Sequence, residues 1–260
     1  MPPPTPPHRT KDRAAVESFL DQDPVSSAVA RYRSFEMEGE KEVYVDGEPP
    51  QAVLGVVRPE WATGAAGIAL YASDPRAAQE VLPAWPSGPC FFHLGEEWML
   101  SLVEPRASEL DGGVFWLFEL DPKDFRDAVR HDVRPLGPEW AELVGKVWDP
   151  NWDRAAEYVR GRIQAGHAYA VYEEGKPVAW AFTHLETPRV SMMGFLHVLE
   201  GHRGKGYARS VSSALTKDIL ARGKIPALHV KTDNMPSLEL TASLGFHRVR
   251  KQVWGEAVMR

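Results

Sequence analysis

Arg203-Gly204-Lys205-Gly206-Tyr207-Ala208 joins a strand-like apolar run, Phe195 to Leu199, to a helix-like run, Tyr207 to Arg222. Two glycines two apart let a backbone turn tightly and come close to a ligand. Exposed amides that open a helix form a site for an anion. Arg203, Lys205 and Arg209 add positive charge, and no acid lies between His202 and Thr216. The chain as a whole carries −6. A basic, glycine-rich loop in an acidic chain points to a small anionic ligand rather than to nucleic acid.

Three glycine-rich loops compete for this reading. A dinucleotide loop needs G-x-G-x-x-G and an acid about twenty residues on. Here Arg209 stands where the third glycine belongs, and no acid lies near Lys224. A P-loop needs Lys and Ser or Thr after its last glycine. Gly201 to Gly206 has the spacing, but Tyr207 and Ala208 follow. The third is a resemblance. The loop is similar to the pyrophosphate loop of GNAT-type acyltransferases, R/Q-x-x-G-x-G/A. Gly204 and Gly206 match its glycines, Arg203 is common at its place, and Gly201 departs from the first slot. Taken alone, the loop also fits a plain glycine turn with scattered surface charge.

The downstream sequence bears on the choice. Gly223 stands where a left-handed helix end belongs, with Arg222 and Lys224 suited to the negative end of the dipole. A short strand, Ala227 to Lys231, follows. Asn234-Met235-Pro236-Ser237-Leu238-Glu239-Leu240-Thr241-Ala242-Ser243-Leu244-Gly245-Phe246 resembles the second GNAT signature, an Asn-opened helix closed by L-G-F. Pro236 suits a first helical turn and Gly245 a helix end. The resemblance covers about Asp132 to Arg260. Within it, His197 to Phe246 is most similar to the glycine N-acyltransferase-like branch.

These loops need elements to carry them. Ala14 to Leu20 and Pro24 to Phe35 read as helices. Glu42 to Val45 and Ala52 to Arg58 read as a strand pair, and Gly67 to Ala72 as a strand. Asp74 with Pro75 starts a helix to Leu82. Cys90 to Leu94, Trp98 to Val103 and Val114 to Leu120 read as strands. In the second half, Val133 to Leu136 is a strand, and Glu139 to Val147 and Arg154 to Ile163 are helices. Ala168 to Tyr172 and Val178 to Leu185 form a hairpin around Glu174-Gly175-Lys176. Val190 to Leu199 is the central strand that feeds the loop. The expected class is α/β (α+β), a GNAT acyltransferase fold with a mixed, splayed central sheet. Residues 1–11 read as a flexible Pro-rich tail, 12–128 as a degenerate GNAT-like domain, and 129–260 as the acyl-CoA-binding catalytic domain.

Composition sets the outer bounds. With 43% hydrophobic and 25% charged residues, the 260-residue chain is ordinary globular protein. Its one cysteine, Cys90, rules out an internal disulfide framework and any CxxC metal pair, and fits a packing residue. No apolar stretch reaches the ~20 residues a spanning helix needs. The expectation is a cytoplasmic protein with no metal, no nucleic-acid partner and no membrane partner. A homodimer is compatible with the sequence, which does not select an oligomeric state.

The resemblance implies the chemistry. Acyl-CoA, with acetyl favoured by family frequency, would lay its pyrophosphate on amides near Gly204 to Arg209. The central strand would splay near His197 and Val198, and the Val198 amide would donate to the thioester oxygen. Asn234 and Ser237 would contact the pantetheine region. The acceptor is the amine of a small molecule or amino acid, attacking directly in a ternary complex. A base is needed. Met192 and Gly194 hold positions that relatives use, and neither takes a proton. His229 is the expected base, with His184 and Glu186 as runners-up, while strand alternation points His197 away. Thr241 occupies the place of a tyrosine that protonates the departing thiolate in relatives. That loss favours an alternative, an acyl-CoA-binding sensor or scaffold with weak or no catalysis. A peptide acceptor is a third reading, with tryptophans such as Trp148 and Trp152 able to line an acceptor pocket.

Overall fold

A computed structural model describes residues 7–260. Residues 1–6, most of the proline-rich part of the expected tail, lie outside the described residues. The first half runs β1 (His8–Arg9), α1 (Arg13–Leu20), α2 (Ala28–Arg31), β2 (Glu40–Val45), β3 (Ala52–Arg58), β4 (Ala66–Ala72), α3 (Pro75–Val81), β5 (Gly88–Leu94), α4 (Leu100–Val103) and β6 (Ala107–Glu119). The second half runs β7 (Val133–Pro135), α5 (Ala141–Trp148), α6 (Ala155–Ala165), β8 (Ala168–Glu173), β9 (Lys176–Glu186), β10 (Val190–Val198), α7 (Tyr207–Ala221), β11 (Ile225–Lys231), α8 (Met235–Ser243) and β12 (His247–Met259).

The two halves have the same element order. They also pair alike. β1 to β4 form antiparallel neighbours and β4 pairs in parallel with β5, as β7 to β10 and then β11 do. By compactness the chain divides differently from its sequence halves. One unit holds residues up to Leu117 together with Val249–Arg260, and the other holds Phe118–Arg248. The expected boundary near residue 128 and an unbroken second domain to 260 therefore miss one feature. Val253 to Met259 of β12 pair antiparallel with Leu94 to Gly88 of β5, so the last strand of the second half completes the first unit. The alternation of a strand tells which face is buried, and it does not tell which distant strand will accept its hydrogen bonds.

Three local expectations change as well. His8 and Arg9 pair with Val45 and Tyr44 instead of belonging to a free tail, and Arg9 meets Glu42 at 2.9 Å. Trp98 to Val103 is helical, with Met99 and Val103 both buried. Their spacing of four is a helical spacing, which a run this short hides. The helix expected over 24–35 is one turn of α-helix followed by a wider π turn at Tyr32–Glu36.

In the second unit, Trp180 and Phe182 of β9 are buried under Val144 of α5 and Val159 of α6. Val211, Leu215 and Ile219 give α7 a buried stripe at every fourth residue. The Thr216 hydroxyl of α7 lies 3.5 Å from the Met193 sulfur of β10. Among the described residues no helix is long and apolar enough to cross a membrane.

Candidate functional site

The parallel ladder of β10 and β11 runs from Val190 opposite Ile225 to Met193 opposite Leu228 and goes no further. Beyond those residues the two strands part. The remaining stretch of β10, Gly194–Val198, still pairs with β9 on its other side. Leu199 N–H donates to the Val178 carbonyl at 2.9 Å. Neighbouring residues on a strand point their amides in opposite directions. The Val198 amide is therefore turned from β9 toward the open side.

β10 also carries a bulge. Gly194 sits opposite Phe182 and His197 opposite Trp180, so three steps on β10 match two on β9. Phe195 takes up the extra residue with φ +53°, a left-handed conformation unusual outside glycine. Residues opposite one another in a ladder share a face. The bulge thus returns His197 to the face of Gly194, against the alternation that an unbroken strand would give. The His197 ring stacks on Trp180, centroids 5.3 Å apart and planes 25° apart. Burial, reinforced by the nearby Arg203 charge, holds the His197 pKa below its usual 6.5.

The loop after β10 turns on three left-handed glycines, Gly201, Gly204 and Gly206, at φ +82°, +78° and +85°. A β-carbon on Gly204 would meet nothing within 4 Å, so the backbone there faces open space. α7 begins at Tyr207 with no side chain capping its first amides. Those amides and the dipole of a 15-residue helix are left for a ligand. Glu173 at the end of β8 braces the loop. It accepts from the Tyr207 hydroxyl and from Lys205 Nζ at 3.1 Å, and His202 Nδ1 lies 3.2 Å from its other oxygen. The Tyr207 hydrogen bond, followed by Lys205, pulls the Glu173 carboxyl down to about 2.

A cleft of about 830 Å³ joins these parts. His197, Val198, Arg203, Gly204, Lys205 and Gly206 line it. So do Tyr207, Ala208, Arg209, Asn234 and Ser237, which makes all eleven residues assigned to the cofactor from the sequence. On α8 the cleft side is Pro236, Ser237 and Leu240, while Leu238 and Thr241 are buried. Thr241 is 5% exposed and does not line the cleft, because one residue past Leu240 is about 100° around the helix. Its assignment to the thiolate fails on that phase. Asn234 accepts from the Ser237 amide at 3.2 Å and so caps α8 at the cleft's edge. His229, the expected base, is half-buried on β11 just past the last paired residue and does not line the cleft. Glu186 accepts from Arg222, Lys224 and Ser191 at 2.8, 2.9 and 2.8 Å. Burial raises its pKa, but these donors outweigh burial and hold it at about 2, too low for a base near neutrality.

Among the cleft residues that the sequence reading did not assign, two come from a distant loop. Arg130 and His131 lie before β7 and line the cleft. The Ser210 hydroxyl in the first turn of α7 ties them there, accepting from the Arg130 amide at 3.1 Å and meeting His131 Nδ1 at 2.9 Å. The His131 ring stands edge-on to Tyr207, centroids 4.6 Å apart. Their only sequence signal was two basic residues in a short loop, and their nearness to α7 is purely tertiary.

Comparison with known proteins places this geometry. Residues 170–255 match the family model of FR47-like proteins. A Drosophila protein of known structure aligns over 97% of this chain and 98% of its own, with TM-score 0.73 and 14% identity. A protein described as an acetyltransferase from the GNAT family of Novosphingobium aromaticivorans aligns over 91% and 97%, with TM-score 0.58 and 17% identity. A tandem GNAT protein from the clavulanic acid biosynthesis pathway aligns over 97% of both chains, with TM-score 0.55 and 14% identity. With its parted parallel strands, its glycine loop at the head of a helix and its repeated element order, the chain has the GNAT acyltransferase fold.

Proposed function

We propose that the chain is an acyl-CoA-dependent N-acyltransferase, with acetyl as the acyl group and a small-molecule amine as acceptor. One observation carries this reading. The strands part at Met193 and Leu228 beside the uncapped start of α7, and a single cleft holds both. A pyrophosphate fits the amides and cations of the loop, and an extended pantetheine arm fits beside the free edge of β10. Among the described residues no cluster of His, Cys, Asp or Glu could hold a metal, and the reading invokes none.

In this reaction the amine attacks the thioester carbon, the C–N bond forms, and the C–S bond breaks to release CoA thiolate. The Val198 amide donates to the oxygen that becomes negative on the way. His197 takes the amine's proton. It lines the cleft, shares the face of Gly194, and is unprotonated at neutral pH because its pKa is depressed. Thr241 is turned into the core, so solvent returns a proton to the thiolate.

The test is thiol release from acetyl-CoA with an amine panel, alongside calorimetric CoA binding. We expect His197→Gln to lose about 10²-fold or more in turnover, the range of a general base. Its CoA affinity should stay within a few-fold. Unchanged turnover would remove His197 from the mechanism. A second reading is a sensor or scaffold that binds acyl-CoA without turning it over, and the buried Thr241 favours it. Tight CoA binding with no thiol release from any amine would select that reading.

A further inference from the structure

A row of rings leads away from the bulge. Phe195 stacks on Phe182, centroids 4.2 Å apart and planes 11° apart. Trp148 at the end of α5 stands edge-on to Phe195 at 5.0 Å and lies parallel to Tyr158 of α6 at 5.3 Å and 20°. Trp152 closes on both, 5.8 Å from Trp148 and 5.5 Å from Tyr158. His184 approaches Phe195 to 5.7 Å.

Three features set this cluster apart from ordinary core. Trp148 is 43% exposed although it stacks on Tyr158, so one large aromatic surface is left to solvent. Phe195 holds a left-handed backbone conformation that a side-chain-bearing residue rarely adopts. Such strain concentrates where a side chain must be aimed. Finally, Phe195 is continuous with Leu196, His197 and Val198, which line the cleft. Phe195 therefore links the ring cluster to the cleft-lining run that carries His197.

From this we infer that the Trp148–Tyr158–Phe195 wall is the acceptor subsite, and that it takes a primary amine carried on an aromatic or similarly flat apolar body. The inference rests on the transferase reading for the direction from which the amine arrives. The chemistry of the wall discriminates among acceptors. A free amino acid needs a cation for its carboxylate, and the cleft's Arg130, Arg203 and Arg209 sit with the phosphate loop. Ring faces instead reward a flat apolar body, and that body would leave its amine at the edge near His197.

The experiment compares phenethylamine and tryptamine with spermidine and glycine as acceptors for acetyl-CoA. The arylalkylamines should show KM values at least tenfold lower. Trp148→Ala should raise the phenethylamine KM at least tenfold while the acetyl-CoA KM stays put, and Tyr158→Leu should follow it. Preference for spermidine or glycine, or an unchanged amine KM in both variants, would overturn the subsite. If no amine is turned over, the transferase reading fails, and calorimetry of phenethylamine into CoA-saturated protein decides the subsite separately. Heat that disappears in Trp148→Ala upholds it, and absence of heat in the parent protein overturns it.

Discussion

Gly206, His197 and Thr241 represent three degrees of legibility. Gly206 was readable as a cleft residue because a glycine-rich loop is written in adjacent residues. The reading leads to a direct test. Gly206→Glu puts a side chain at φ +85° and a negative charge at the head of α7. Calorimetric CoA binding should vanish while the protein stays folded, and retained binding would remove the loop from the site. His197 was readable as a cleft residue but not as one on the face of Gly194. The bulge at Phe195 reverses the face of everything after it, and a bulge has no fixed composition. A pH profile follows from its depressed pKa. The deprotonated ring is the active form, so turnover should rise with pH through a value below 6.5 and level off near neutrality. A limb centred well above 6.5 would point to a different base. Thr241 was misread because counting along a motif ignores helix phase. Its neighbour Leu240 faces the cleft, and Thr241 faces the core.

Among elements, the hairpin of β8 and β9, the strand β10 and the helices α7 and α8 were all plain from their patterns and caps. The short helix α4 was not, since the six residues Trp98 to Val103 with five apolar ones fit either period. The join between β9 and α7 was also invisible, because the sequence offered Glu186 only as a runner-up base. In the structure it takes donors from Arg222 and Lys224 at the end of α7 and from Ser191 at the start of β10. Its pKa falls from 4.5 to about 2. A depressed carboxylate contributes stability that is complete above its unfolded value and lost as pH falls through its folded value. Glu186→Gln should therefore cost on the order of 2 kcal/mol at pH 7 in urea unfolding. The difference from the parent protein should shrink as pH drops from about 4.5 toward 2. A constant difference over that window would mean that the carboxylate charge is not what ties β9 to α7.

At the scale of the whole molecule, the two halves share an order of elements without sharing a site. In the first half β4 and β5 stay paired from Ala66 opposite Cys90 to Leu70 opposite Leu94, and Gly95 extends the bonding with a 2.9 Å hydrogen bond to Leu70. The start of α3 is already filled, since Asp74 accepts from the Arg76 and Ala77 amides at 2.9 and 3.0 Å. Neither a parted strand pair nor an open helix head is left there for a phosphate. Titration with CoA should give one site per chain, and a stoichiometry of two would contradict this account. The missing basic glycine loop in that half was legible in the sequence. The repeated topology was not, because pairing order can persist after residue identity is gone. The placement of β12 was equally hidden, and it reaches into how the protein is born. The unit that begins at the amino end waits for residues 249–260 as a strand on β5. On the ribosome it must remain unfinished until residues 249–260 have been made, so the nascent first half waits through synthesis of the second with the edge of β5 uncovered.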